Sequence, residues 1–226
     1  GSGGFDAVRS LFCSFDHSLA VRAVLAGAAP GKVFVDDLED PAIAVLMVRS
    51  RIYLAVRQGA HGVVDELYHI RDHALPAYRH EAGIGILSLH YTEPELDDPI
   101  TEVFGKNVTF KGMRHYYERE VAGDSLQTVS PEGFVLRPVD ARLLSEERLA
   151  NLDDLRYEMC SERPYVQDFL DRSFGVCLVK DDELVGWCLS EYNLGDRCEV
   201  GIEVVDGHRR KGLGVLLASA FMRRAS

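Results

Sequence analysis

With 226 residues, 46% of them hydrophobic, the chain can bury one large or two modest α/β cores. Its net charge of −11, from 25 cations and 36 anions, argues against nucleic acid as the main partner. No run approaches the roughly eighteen apolar residues that span a bilayer, and no secretory signal is visible. The five cysteines are odd in number and form no Cys-x-x-Cys pair. All but Cys160 sit in apolar patterns, as buried thiols do, which points to a reducing cytoplasm.

Phe5 to Ala26 reads as helix with a break near Ser14-Phe15-Asp16, and Val33–Val35, Ala42–Val48 and Arg51–Val56 as three strands. His61 to His80 has helical spacing through Val64, Leu67 and Ile70, and Gly83 to His90 reads as a strand. Pro94 to Phe104 is a loop or short helix, Lys106 to Glu120 a strand, and Ala122 to Glu132 a linker rich in turn formers. Gly133 to Asp140 is then a short strand ending at a proline, and Ala141 to Met159 one or two helices. Phe174–Lys180 and Glu183–Ser190 are strands joined by the turn Asp181-Asp182, and Cys198–Val205 is a further strand. These elements divide the chain into an N-terminal α/β domain, residues 1–126, and a C-terminal one, residues 127–226.

The last strand breaks at Asp206-Gly207 and meets Arg209-Arg210-Lys211-Gly212-Leu213-Gly214-Val215, after which Leu213, Leu216, Leu217, Ala220 and Phe221 mark one helical face. A strand feeding a glycine loop that opens a helix suits phosphate: the first-turn N–H groups are free, the helix dipole is favourable, and glycine allows close approach. The Gly-x-x-x-x-Gly-Lys phosphate loop is absent, since Leu213 stands where its lysine belongs, and Leu217 replaces the third glycine of a dinucleotide fingerprint.

The spacing Arg209-x-x-Gly212-x-Gly214 after a strand resembles the pyrophosphate-binding signature of the GNAT acyltransferase superfamily, and the element order from Gly133 to Ser226 is similar to the first part of a GNAT domain. The front half, through Gly31-Lys-Val-Phe-Val-Asp36-Asp, Asp40-Pro-Ala-Ile-Ala-Val-Leu-Met, Arg51-Ile-Tyr-Leu-Ala and Arg114-His-Tyr-Tyr-Glu, resembles the two-part bacterial GNAT proteins that include the zwittermicin A resistance acetyltransferase. The resemblance implies a mixed, mostly antiparallel GNAT-type sheet with flanking helices, preceded by a smaller, non-catalytic GNAT-like α/β domain. It implies acetyl-CoA as co-substrate, gripped by Arg209, Arg210, Lys211, Gly212, Leu213, Gly214 and Val215. Ile202, Val204 and Val205 would meet the pantetheine and the acyl carbonyl. A GNAT domain normally continues with another strand, helix and strand that commonly supply the general-acid tyrosine, so the C-terminal domain is expected to be incomplete at Ser226.

Glu199 and Glu203 lie four apart on a strand and therefore share a face. A carboxylate partly desolvated beside a cleft can act as base, directly or through water. Glu199, near where many GNAT members carry that glutamate, ranks first. The alternative for each is a solvated strand face or an ion pair with Arg197. Tyr165 and Tyr192 are weaker proton-donor candidates. His69 and His73, with Asp65 a turn back, have metal-ligand spacing but no evident further ligands, so no metal is expected. No nucleophile elbow such as Gly-x-Ser-x-Gly occurs. The expected activity is acetyl transfer to a primary amine of a small molecule, by a cytoplasmic protein, with a homodimer open as its assembly. The alternative is a non-catalytic acyl-CoA-binding or scaffold protein.

Overall fold

Ile43-Ala-Val-Leu-Met-Val48 is apolar at every position, the pattern of a strand covered on both faces rather than one. In the computed structural model, which describes residues 5–120 and 129–225, all six of these residues are buried. They form β2 (Ile43–Val48), flanked in the sheet by β1 (Lys32–Val35) and β3 (Arg51–Val56), with β4 (Ser88–His90) beyond β3. The β1–β2 and β2–β3 pairs are antiparallel and β3–β4 is parallel, so this sheet is mixed. The β2–β3 turn places Arg49 at φ 48°, and the Tyr78 hydroxyl donates to its carbonyl at 2.9 Å.

Ahead of this sheet come α1 (Asp6–Arg9), a 3-10 turn (Leu11–Phe15) and α2 (Leu19–Leu25), with the expected break falling at that turn. Phe15 meets Tyr53 of β3 edge to face, ring centroids 5.4 Å apart. α3 (Val63–His69), a π-helical turn (Ile70–Ala74), α4 (Leu75–Ala82) and α5 (Asp97–Phe104) follow. Leu67, Ile70, Tyr78, Ile100 and Val103 pack with Val45, Met47 and Leu54 as one core. The Asp36-Asp37 pair is loop chemistry: Asp36 accepts the N–H groups of Ala42 and Ile43, and Asp37 those of Glu39 and Asp40.

Two expectations in this half need correction. Only Ser88–His90 of the segment from Gly83 is strand. Lys106 to Glu120 forms a 3-10 turn at Gly105–Asn107 and then no regular structure, with Phe110, Met113 and Tyr117 all more than 80% exposed. A strand needs a ladder partner for its N–H and C=O groups, and none pairs with this segment among the described residues.

The chain divides into two compact units, residues 1–116 and 117–226. The second unit holds β5 (Val135–Pro138), α6 (Ala141–Leu144), α7 (Leu152–Met159), α8 (Val166–Arg172), β6 (Gly175–Lys180), β7 (Glu183–Leu194), β8 (Arg197–Val204) and α9 (Leu213–Ala225). Its strands run in the order β5-β6-β7-β8, every pair antiparallel. The β6–β7 turn has Asp181 and Asp182 at φ 49° and 61°, the left-handed pair that matches hairpin twist. Asp140 caps α6 by accepting the Leu143 N–H at 2.9 Å. One sheet face packs Cys177, Trp187 and Leu189 against Leu155, Met159 and Phe169 of α7 and α8. The other packs Val176, Leu178, Val185 and Cys188 against Leu213, Leu217, Ala220 and Phe221 of α9. The linker segment expected at Ala122–Glu132 lies mostly outside the described residues.

Candidate active site

β8 is an edge strand, and its backbone direction follows from two contacts. The Val205 N–H donates inward to the Val185 carbonyl at 3.0 Å, and a Cβ added at Gly186 on β7 would lie 2.7 Å from the Glu203 carbonyl. Odd-numbered residues therefore turn their N–H and C=O groups toward β7. By period-two alternation the N–H groups of Ile202 and Val204 point to the open edge. No strand covers that edge among the described residues, and the Val200 and Ile202 side chains are 52% and 46% exposed beside it.

Past β8 the chain makes a 3-10 turn, Asp206–His208, and then a loop in which Arg210 and Gly212 both adopt positive φ, 59° and 77°. The Leu216 N–H donates to the Gly212 carbonyl at 3.2 Å, which makes Gly212 the cap of α9. A glycine cap has no side chain to satisfy the first-turn donors, so the N–H groups of Leu213, Gly214 and Val215 are offered to a ligand. The flanking cations divide in role. Arg209 turns back onto the end of β8, donating to the Val204 carbonyl and Glu203 Oε1, both at 2.9 Å, and pairing with Asp206. Lys211 Nζ reaches the Gly207 carbonyl at 2.9 Å, and Arg210 is exposed.

The carboxylates converge on the face of the sheet opposite α9. Glu191 of β7 and Glu199 of β8 are register partners, and Glu199, Gly201 and Glu203 share that face. Glu203 is held by Arg209, and Arg197 pairs with Glu118. Glu191 is buried, and its carboxyl lies over Gly201: a Cβ there would be 2.2 Å from Oε1. A bulge interrupts the β7–β8 register between Glu191 and Leu194, with Tyr192 at φ 49°. A non-glycine residue in that region carries about 1–3 kcal/mol of strain and persists where its surroundings hold it.

Glu162, on the loop between α7 and α8, does the holding. It is 6% exposed, and its carboxyl accepts the Tyr192 N–H and the Ser173 hydroxyl. Burial pushes its pKa above the ordinary 4.5, assisted by the charge of Glu199, while the Tyr192 N–H and Arg163 oppose the shift. Neither Glu162 nor Glu191 was singled out from sequence. A glutamate in Cys160-Ser-Glu-Arg-Pro reads as a solvated helix connection, and its burial depends on a partner 30 residues away.

The tyrosines part company: Tyr192 is 1% exposed and Tyr165 is 69% exposed. Cys13 is exposed rather than buried, because it lies on the 3-10 turn before α2. Burial pushes the Cys177 and Cys188 thiols up to about 12, which keeps both protonated and poorly nucleophilic at neutral pH. The His69 and His73 rings meet at a 45° tilt with centroids 4.7 Å apart, and no group of three candidate ligands suited to a metal occurs among the described residues. No helix among them is long and apolar enough to cross a membrane.

A family model for GNAT acetyltransferases matches residues 9–226, spanning both units. The fold is similar to that of a GCN5-related N-acetyltransferase-like protein from Streptococcus suis, with a TM-score of 0.68 at 20% identity over 97% of this chain and 82% of that one. It is also similar to a GCN5-related N-acetyltransferase from Sphaerobacter thermophilus, with a TM-score of 0.54 at 13% identity over 100% of this chain and 80% of that one. No curated protein matches the chain.

Proposed function

Because the chain belongs to the GNAT acetyltransferase family, we propose that it moves an acetyl group from acetyl-CoA to a primary amine of a small molecule. The observation that carries this reading is the junction of β8 and α9. Outward N–H groups of Ile202 and Val204 lead directly to a helix start capped by Gly212, with Arg210 and Lys211 beside it. The pyrophosphate would take the amides of Lys211 to Val215, and the apolar Val200 and Ile202 suit an aliphatic arm laid along the edge. Arg209 braces the loop against β8 in this account.

Acetyl-CoA supplies the activated thioester. Glu199 takes the proton of the acceptor ammonium, directly or through water, so that the amine nitrogen can form its bond to the acyl carbon. The outward N–H groups on β8 donate to the carbonyl oxygen as charge builds on it, the C–S bond breaks, and the proton shed by the new amide nitrogen passes through water to the departing thiolate. Glu203, tied to Arg209, is the second candidate. The net charge of −11 supports a small-molecule acceptor rather than a nucleic acid. Free cysteines without a metal or disulfide pattern favour work in the cytoplasm.

Thiol release from acetyl-CoA, measured across a panel of primary amines, tests the reading. Turnover with at least one amine is expected, and Glu199→Gln should lower it by about two to four decades. Coenzyme A binding without turnover on any amine would favour the scaffold alternative. Full activity in Glu199→Gln would remove that residue from the base role.

A further inference from the structure

We propose that Glu162 is a positioning residue: by accepting the Tyr192 N–H it locks the β7 bulge and so keeps the Glu191 carboxyl over Gly201, beside Glu199. The inference rests on the reading of Glu199 as the base, and it concerns what sets the geometry around that base.

The bulge turns the Tyr192 N–H out of the β7–β8 ladder, and at 1% exposure of the residue no water competes for it. A buried N–H needs an acceptor, and the Glu162 carboxyl supplies it. The same carboxyl is fixed from a second side. The Ser173 hydroxyl donates to it at 3.4 Å, and Ser173 in turn accepts from Asn193 Nδ2 at 3.0 Å. Asn193 also reaches the Ser190 hydroxyl at 3.3 Å, which accepts the Phe174 N–H at 2.9 Å. Residues on both sides of the bulge are thus tied to the start of β6 and to the α7–α8 loop, and Glu162 is the charged member of the chain of bonds. Glu191 is the last β7 residue in regular register with β8 before the bulge, and Glu162 holds the peptide that joins it to Tyr192, so the placement of the Glu191 carboxyl depends on that hydrogen bond.

Glutamine keeps an oxygen for the Tyr192 N–H and lacks the charge; leucine has neither. Turnover of the best acceptor in the amine panel should therefore stay within about threefold of wild type in Glu162→Gln. It should fall by about a hundredfold in Glu162→Leu, the scale of a misplacement of about 1 Å, with coenzyme A affinity unchanged. The Tyr192 amide reports the contact without activity. In wild type its NMR shift should follow the titration of Glu162, whose charged neighbours are Arg163 on the same loop and Glu199 on β8. In Glu162→Gln that titration should vanish. A Tyr192 amide that is insensitive to pH in wild type, or a Glu162→Leu enzyme with unchanged turnover, would overturn the proposal. So would a Glu162→Gln enzyme as impaired as Glu162→Leu. Glu199→Gln, assayed in parallel, separates the two ideas: if it is fully active the base assignment falls, and the amide titration still decides the role of Glu162.

Discussion

One residue in the candidate site is defined by the space it leaves. Gly201 carries no side chain because the Glu191 carboxyl occupies its position, so Gly201→Ala must displace Glu191. The expected result is a fall in acceptor turnover with coenzyme A affinity intact; equal turnover would show that Glu191 does not contribute. Glu162 links the site to pH. Its folded-state pKa is raised, so its contribution to stability is fully present below the ordinary carboxylate value of 4.5 and is lost as pH rises through the folded value. Glutamine cannot ionise. The melting temperature of Glu162→Gln relative to wild type should therefore increase between pH 4 and pH 7, and a difference that shrinks over that interval would contradict the assignment.

Among the elements, the β7–β8 pair decides whether the site exists. A Cβ at Gly186 would meet the Glu203 carbonyl at 2.7 Å and Leu217 of α9 at 3.0 Å, and a backbone carbonyl in a ladder cannot step aside. Gly186→Ala should destabilise the protein by about 1–3 kcal/mol, as overpacking does, and urea unfolding measures it. Much of this architecture was legible beforehand. The uninterrupted apolar run of β2, the Asp181-Asp182 turn and the strand–glycine–helix junction at Gly212 each follow from local pattern and turn chemistry. The bulge at Tyr192 was not legible, because it is stabilised by Glu162 from another loop and leaves no periodic trace. The partners of Arg209, named beforehand through the resemblance, were not legible either: it donates to Val204 and Glu203 and pairs with Asp206. The segment after Lys106 failed because a strand requires a partner, which no local pattern supplies.

At the scale of the whole molecule, an acidic chain with net charge −11 places Arg209, Arg210 and Lys211 side by side ahead of one glycine-capped helix. Between Phe5 and Glu120, Gly62 also caps a helix after a strand, but Asp65 and Glu66 in the first turn of α3 disfavour phosphate there, which predicts one coenzyme A per chain. Calorimetric titration of coenzyme A into wild type, Gly212→Ala and Gly195→Ala tests this most directly. Gly195, in the β7–β8 turn, has φ 63° against 77° for Gly212, and neither has a neighbour within 4 Å of an added Cβ. Both alanines therefore carry a similar backbone penalty of about 1–2 kcal/mol, while only one sits in the phosphate loop. The account predicts one site per chain, lost or weakened at least about tenfold in Gly212→Ala and unchanged in Gly195→Ala. Two sites per chain, or equal affinity in all three proteins, would contradict it.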